Sequence, residues 1–279
     1  MKLLKIECEP FTRMEYVNKT AEQRWADRFR RCSSIISDIE IALVEQNCRE
    51  ATTLLLPRND IEHRQQLLAE QGLRFTPVMW VKKFNGFSHR HDELTEDHPD
   101  AVCYGVVTRT ETAAIKFKEA TLLQNPDHDI IGGLLGYPAC CRNFFTNVWC
   151  AGFVDPIWQQ AENTGGEVIK RTDGGYEIKI KGYPECVAHQ RSWGVRAGFH
   201  LPCSFTCEDT RRFANVWLET AEKLDPGASA VIMEILSLPS VWDAHKGVAM
   251  VNTPYYRGIS SSVPCADVHT VYFTPLTNR

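Results

Sequence analysis

ATTLLLPRNDIEHRQQLLAEQGLRFTPVMWVKKF, residues 51–84, reads as strand, helix and strand in direct succession. ATTLLLP is a short β-branched and leucine run that suits a buried strand. RNDIEHRQQLLAEQGL follows as a helix that Asn59 or Asp60 can cap and Gly72 can close. RFTPVMWVKKF is the second strand, and Pro77 within it points to a sheet edge or a bulge. Upstream, KTAEQRWADRFRRCSSIISDI spaces its charged and apolar residues as a helix does. Downstream, AVCYGVVTRT is a further strand and ETAAIKFKEATLLQN a helix ended by Pro126. Such alternation predicts an α/β unit over residues 1–125 with some parallel strand pairing.

From residue 126 the texture changes. DIIGGLLGYPACCRNFFTNVW is a short helix, a tight turn and a second helix that starts near its cysteines. GGEVIKRTDGGYEIKIKG is a β-hairpin turning at Asp173-Gly174-Gly175. TRRFANVWLETAEKL is an amphipathic helix whose stripe is Phe213, Val216, Trp217, Ala221 and Leu224, stopped by DPG. The remainder, SAVIMEILSLPSVWDAHKGVAMVNTPYYRGISSS and DVHTVYFT, reads as several strands joined by Pro- and Gly-bearing turns. The expected fold is therefore α/β or α+β: a mixed sheet with flanking helices, the cysteine motifs on turns entering helices. Residues 126–279 form either a second region or one continuous domain with the first.

A length of 279 residues with ordinary apolar and charged fractions is enough for a substantial core. The net charge of −4 gives no electrostatic footprint for nucleic acid. MKLLKIECEP is not a signal peptide, and the apolar runs are too short to span a bilayer, so a cytoplasmic protein with no membrane partner is expected. Eleven cysteines are an odd count in a chain that is no short secreted scaffold. Clustered thiols in a reducing compartment point to metal ligation or redox chemistry rather than a disulfide framework. Cys140, Cys141, Cys150, Cys186, Cys203 and Cys207 are concentrated together, whereas Cys8, Cys32, Cys48, Cys103 and Cys265 read as small buried hydrophobes.

GYPACCRNFF and HLPCSFTCEDTRRF make the first candidate site. Each places cysteines shortly after a proline and near a helix start, where backbone N–H groups and the helix dipole favour thiolate. Four thiolates from Cys140, Cys141, Cys203 and Cys207 suit an iron–sulfur cluster or a tetrahedral zinc ion. Side chains of adjacent cysteines tend to diverge, which favours a [4Fe–4S] cluster over Zn2+, since each sulfur can then reach its own iron. Cys186, in the echo GYPEC, is a reserve ligand; His200 could be a hydrogen-bond donor to a ligand or a substitute ligand. Neither the C-x3-C-x2-C run of radical-SAM clusters nor ferredoxin spacing occurs. Buried structural cysteines are the plain alternative.

LLGYPACCRNFF followed by PCSFTC resembles an uncharacterised family of archaeal and bacterial proteins, a domain of unknown function marked by LGYPxCC-x3-F and PCSxxC. The likeness covers about residues 100–260. It implies that Cys140 and Cys141 work with Cys203 and Cys207, and implies no substrate or reaction.

HRHDELTEDH is a second candidate, in which His89, His91 and His98 with Asp92 and Glu96 could bind a further metal; a solvated loop explains the same residues. In the third, WDAHKGVAMVNTPYYRG, Asp243 and His245 form a candidate acid/base pair, and Thr253, Tyr255 and Arg257 offer hydrogen bonds; strand and turn packing is the alternative. No phosphate loop or G-x-S-x-G elbow is present. Together these readings predict an iron–sulfur enzyme of lyase or sulfur-transfer type, acting on a small polar or sulfur-containing molecule. Cys141, Asp243 and His245 are its catalytic candidates; Tyr137, Arg142, Arg211, Arg212, Thr253 and Tyr255 would bind substrate. A zinc-stabilised binding module and a thiol–disulfide redox protein are the alternatives.

Overall fold

The computed structural model describes residues 12–82, 93–152, 155–190, 193–261 and 267–276. The chain is α/β, a mixed sheet and an antiparallel sheet with flanking helices. It divides into two compact units: Ile36–Asn143, and Met1–Ile35 together with Phe144–Arg279. The sequence reading placed a single break near residue 125.

In the first unit, β2 (Ala51–Leu56), α3 (Ile61–Glu70) and β3 (Arg74–Lys82) are the strand–helix–strand legible from sequence. The expected parallel pairing does not form. β4 (Ala101–Thr108) lies between the two strands and pairs antiparallel with both. The crossover thus leaves a strand-wide slot, and the next strand fills it, a split βαβ arrangement. Pro77, which has no N–H for a ladder, sits on edge strand β3 where the register shifts between Pro77 and Met79.

Period-two alternation gives this sheet two buried faces. Leu54, Phe75, Cys103 and Val107 meet Leu68 of α3 and Ile41 and Val44 of α2 (Ile36–Glu45). Ala51, Val78 and Val106 meet Phe117 of α4 (Glu111–Leu122) and Leu134 of α5 (His128–Leu134). Burying a side chain such as Phe117 contributes about 1.5–3 kcal/mol. Thr110 and Asp127 cap α4 and α5 by accepting from the N–H groups of Ala113 and Ile130.

The second unit holds a seven-stranded sheet. Its strands are β1 (Thr12–Tyr16), β5 (Glu167–Lys170), β6 (Tyr176–Gly182), β7 (Ser240–Asp243), β8 (Val248–Asn252), β9 (Tyr256–Ser261) and β10 (His269–Pro275). They lie in the order β1-β9-β8-β7-β10-β6-β5, and β6–β10 is the parallel pair. The pairing of β1 with β9 draws the N-terminal residues, with α1 (Lys19–Ser34), into this unit. The hairpin β5–β6 forms as read, with Gly174 at φ 88° in its turn.

Two expectations fail here. ASAVIMEIL is helix α9 (Ala228–Leu236), not strand. Its buried residues Ala228, Ile232, Ile235 and Leu236 recur at three- and four-residue spacing. A short apolar run carries both periods, and packing against α8 (Glu208–Leu224) selects the helical one. On α8 the stripe is rotated: Thr210, Ala214, Trp217, Leu218 and Ala221 are buried, while Val216 and Leu224 are exposed.

His189 is enclosed in this unit, its Nε2 2.6 Å from the Ser240 hydroxyl, and burial pushes its pKa down to about 4. An unfolded histidine titrates near 6.5, so between those values the unfolded chain holds a proton the folded one lacks. The contribution is therefore complete above pH 6.5 and is lost as pH falls toward 4. Denaturation curves of the wild type and His189→Gln should diverge below pH 6.5, the wild type falling more steeply by about 1.4 kcal/mol per pH unit. Parallel curves would show that His189 charges freely in the folded protein.

Among the described residues, no helix is long and apolar enough to cross a membrane.

Candidate metal centre

α6 (Ala139–Phe144) begins directly after the GYP turn and runs on as a π-helical stretch, Phe145–Cys150. Gly136, at φ 74°, closes α5, and the N–H groups of Cys141 and Arg142 return to the Pro138 carbonyl at 3.0 and 2.9 Å. Arg142 clamps this turn: its Nη1 donates to the Tyr137 carbonyl and its Nε to Asp129 Oδ1, both at 2.8 Å. Gly132 makes room for it, because a Cβ there would lie 2.7 Å from Arg142 Cδ. Arg142 and Tyr137, expected to bind substrate, are thus part of the frame that aims Cys140 and Cys141.

The second cysteine pair is framed by the echo motif. Tyr183 N–H donates to the Phe205 carbonyl at 2.8 Å, and a Cβ at Gly182 would lie 2.5 Å from that same carbonyl oxygen. Only glycine permits so close an approach of two backbones. Cys207 is the N-cap of α8, its Sγ accepting from the Thr210 N–H at 3.4 Å. A donor aimed at sulfur favours the thiolate. Thr210 Oγ1 in turn lies 2.9 Å from His200 Nε2, and burial lowers the His200 pKa to about 4 against the opposing pull of Cys207. His200 therefore stands behind Cys207, with Thr210 between them.

The sulfurs of Cys140, Cys141, Cys203 and Cys207 all lie within 4.8 Å of one another and could hold a metal. Cys141 and Cys207 are buried, Cys140 and Cys203 half-buried. The reserve ligand Cys186 is outside this group: its thiol donates to the Cys207 carbonyl at 3.6 Å, and burial pushes its pKa up. Cys186 therefore braces the cap of α8 from behind the four sulfurs.

The adjacent pair departs from expectation in an informative way. The Sγ atoms of Cys140 and Cys141 are 3.8 Å apart. A tetrahedral ion with metal–sulfur bonds of about 2.3 Å spaces its sulfurs about 3.8 Å apart. The supposed divergence of neighbouring side chains, which had favoured a cluster, is absent in this first turn of α6.

The other predicted catalytic and substrate-binding residues lie on the first turns of α8 and around the β7–β8 and β8–β9 connections. Arg211 lies with its guanidinium 4.6 Å over the Tyr183 ring and its Nε 3.6 Å from Glu185, beside the GYPEC turn. Arg212 pairs with Asp209 on the exposed side of α8. Asp243 receives the Lys246 N–H at 3.0 Å and its ammonium at 3.1 Å, and His245 lies in the same turn between β7 and β8. Thr253 Oγ1 accepts from the N–H groups of Tyr255 and Tyr256, shaping the turn into β9, and Tyr255 stacks on Trp25 at 5.8 Å. His98 accepts from the Asp100 N–H, Glu96 pairs with Arg58, and His89, His91 and Asp92 lie outside the described residues. Cys32 and Cys103 are buried as expected, but Cys48 is exposed; Cys8 and Cys265 are outside the described residues. Thr210 and Gly182 were not singled out from sequence. A threonine three residues after a capping cysteine was the available signal for the first.

No protein-family model matches the chain, and neither the curated proteins nor the solved structures hold a significant match to it.

Proposed function

We propose that Cys140, Cys141, Cys203 and Cys207 bind one tetrahedral metal ion of the zinc class, as a closed tetrathiolate centre. The observation that carries this reading is the spacing: all four sulfurs lie within 4.8 Å, and the adjacent pair at 3.8 Å. Soft thiolate donors in tetrahedral array select zinc among common divalent ions. A [4Fe–4S] cluster places a separate iron behind each sulfur and spreads its thiolates wider than one ion does. With four protein ligands the ion has no position left for a substrate, so its role is to fix the two motifs in place. Binding requires thiolates, and the Thr210 N–H aimed at Cys207 supplies part of that bias.

The iron–sulfur enzyme is the second reading, favoured by the half-burial of Cys140 and Cys203 where a closed structural ion would more often be fully enclosed. Purification without oxygen, followed by zinc, iron and sulfide analysis and a visible spectrum, separates the two. One zinc per chain in a colourless protein supports the single-ion centre. A brown protein with several irons and matching sulfide overturns it in favour of the cluster. Metal-free protein that cycles between two free thiols and one disulfide would overturn both and leave thiol redox chemistry.

A further inference from the structure

β5 is the last strand of the seven-stranded sheet, and all four of its residues are exposed. Among the described residues no strand pairs with its outer edge. Two of the four are apolar: Val168 is 46% and Ile169 37% exposed. Val168 shares a face with its cross-strand partner Ile178, which is completely buried, so that the apolar face of the sheet runs out to an open edge. Such an edge is a template for another strand.

The backbone pattern says which residues offer bonds. Arg171 N–H donates to the Gly175 carbonyl at 2.8 Å, closing the hairpin turn. Antiparallel ladders alternate, so Ile169 and Glu167 also bond toward β6, and the N–H and C=O groups of Val168 and Lys170 face outward.

We infer that this edge is a self-association surface, on which β5 of a second copy pairs antiparallel about a twofold axis centred on Ile169. The choice of partner and register follows from symmetry and charge. A twofold perpendicular to a sheet keeps each side chain on its own face, so paired residue numbers must have an even sum. Centring on Ile169 sets the outward-facing Val168 opposite Lys170 of the second copy, giving hydrogen-bonded pairs on either side of the axis. It also sets Ile169 against Ile169 and Glu167 against Arg171 of the second copy, twice. Centring on Val168 instead places Glu167 opposite Ile169, and centring on Lys170 sets lysine against lysine. Only one register is complementary in charge. Glu167 and Lys170 have no ion pair among the described residues; the Arg171 guanidinium is held by Asp173 at 2.6 Å and, across β6, by Thr270 of β10 at 3.0 Å, and would turn from Thr270 to meet Glu167 of the second copy. The strand is short, so the surface buried falls below the standard interface size and the dimer is a weak, concentration-dependent one.

Sedimentation velocity of the full chain over a concentration series tests this. The wild type should shift from monomer to dimer as concentration rises. Ile169→Lys, which sets two ammonium groups against each other at the axis, should remove the shift. Glu167→Arg places arginine opposite Arg171 and should weaken association about tenfold or more. Adding Arg171→Glu restores opposite signs and should bring the association constant back to within about threefold of wild type. A wild type that stays monomeric at all concentrations overturns the proposal. So does a double variant as weak as Glu167→Arg alone, which would place the contact elsewhere. Neither result depends on which metal the cysteines hold.

Discussion

Replacing Cys207 with serine should abolish stoichiometric metal binding, while replacing Cys186 with serine should leave it intact. The two thiols are close, since Cys186 donates to the Cys207 carbonyl at 3.6 Å, yet only Cys207 is one of the four converging sulfurs. A lost thiolate removes one of four bonds and the α8 cap that Cys207 makes with Thr210. Changes merely behind a ligand cost about ten- to a hundredfold in affinity, so the loss of a ligand should exceed a hundredfold. Structural zinc is worth about 10–16 kcal/mol of apparent binding energy in small zinc-folded peptides, and a large drop in thermal stability should accompany the loss. Chelator competition with thermal melts, on wild type and both variants, reads this directly. Full metal content in Cys207→Ser would remove that residue from the ligand set. Equal losses in both variants would mean that packing, not ligation, is being measured.

Arg49→Ala should cost about 3–5 kcal/mol, the largest effect expected away from the cysteines. Arg49 and Glu40 face each other with side chains 1% and 7% exposed. Arg49 Nη2 bonds both the Glu40 carboxylate and its backbone carbonyl, the latter at 2.8 Å, and Thr52 Oγ1 donates to the same carboxylate at 3.1 Å. Removing the guanidinium strands a buried carboxylate inside an otherwise apolar helix face, and that uncompensated charge is what destabilises. Replacing both partners with methionine should recover most of the loss, because two apolar groups need no counter-charge. Urea midpoints of the single and double variants decide it. A single variant within about 1 kcal/mol of wild type would mean that water reaches Glu40.

The cysteine pairs were legible because their chemistry is local. A proline turn, a thiol and a helix start lie within a few residues, and the chain realises both arrangements at α6 and at the cap of α8. What misled was a conformational assumption about neighbours. Adjacent side chains diverge in a strand, but at the opening of α6 they project with their sulfurs 3.8 Å apart, so divergence no longer argues for a cluster. The readings of Asp243 and His245 as an acid/base pair, and of Thr253 and Tyr255 as substrate-binding residues, rested on residue type alone. Asp243 ends β7 and the other three lie in the connections after β7 and β8, and the hydrogen bonds of Asp243 and Thr253 help shape those connections. Turn-forming and acid/base side chains are the same chemical types, so composition cannot separate them.

Alone, the sequence determined the α/β class, most element positions, the hairpin at Gly174 and the grouping of four cysteines into two motifs, since periodicity, turn residues and caps act over a few neighbours. Tertiary structure decided that β4 enters between β2 and β3, that the N-terminal strand β1 joins β9, and that ASAVIMEIL is a helix. It also separated Cys186, hydrogen-bonded to the Cys207 carbonyl, from the four sulfurs that meet. Strand order and sulfur convergence depend on contacts between residues far apart in the chain, and no local pattern encodes the register in which distant segments meet.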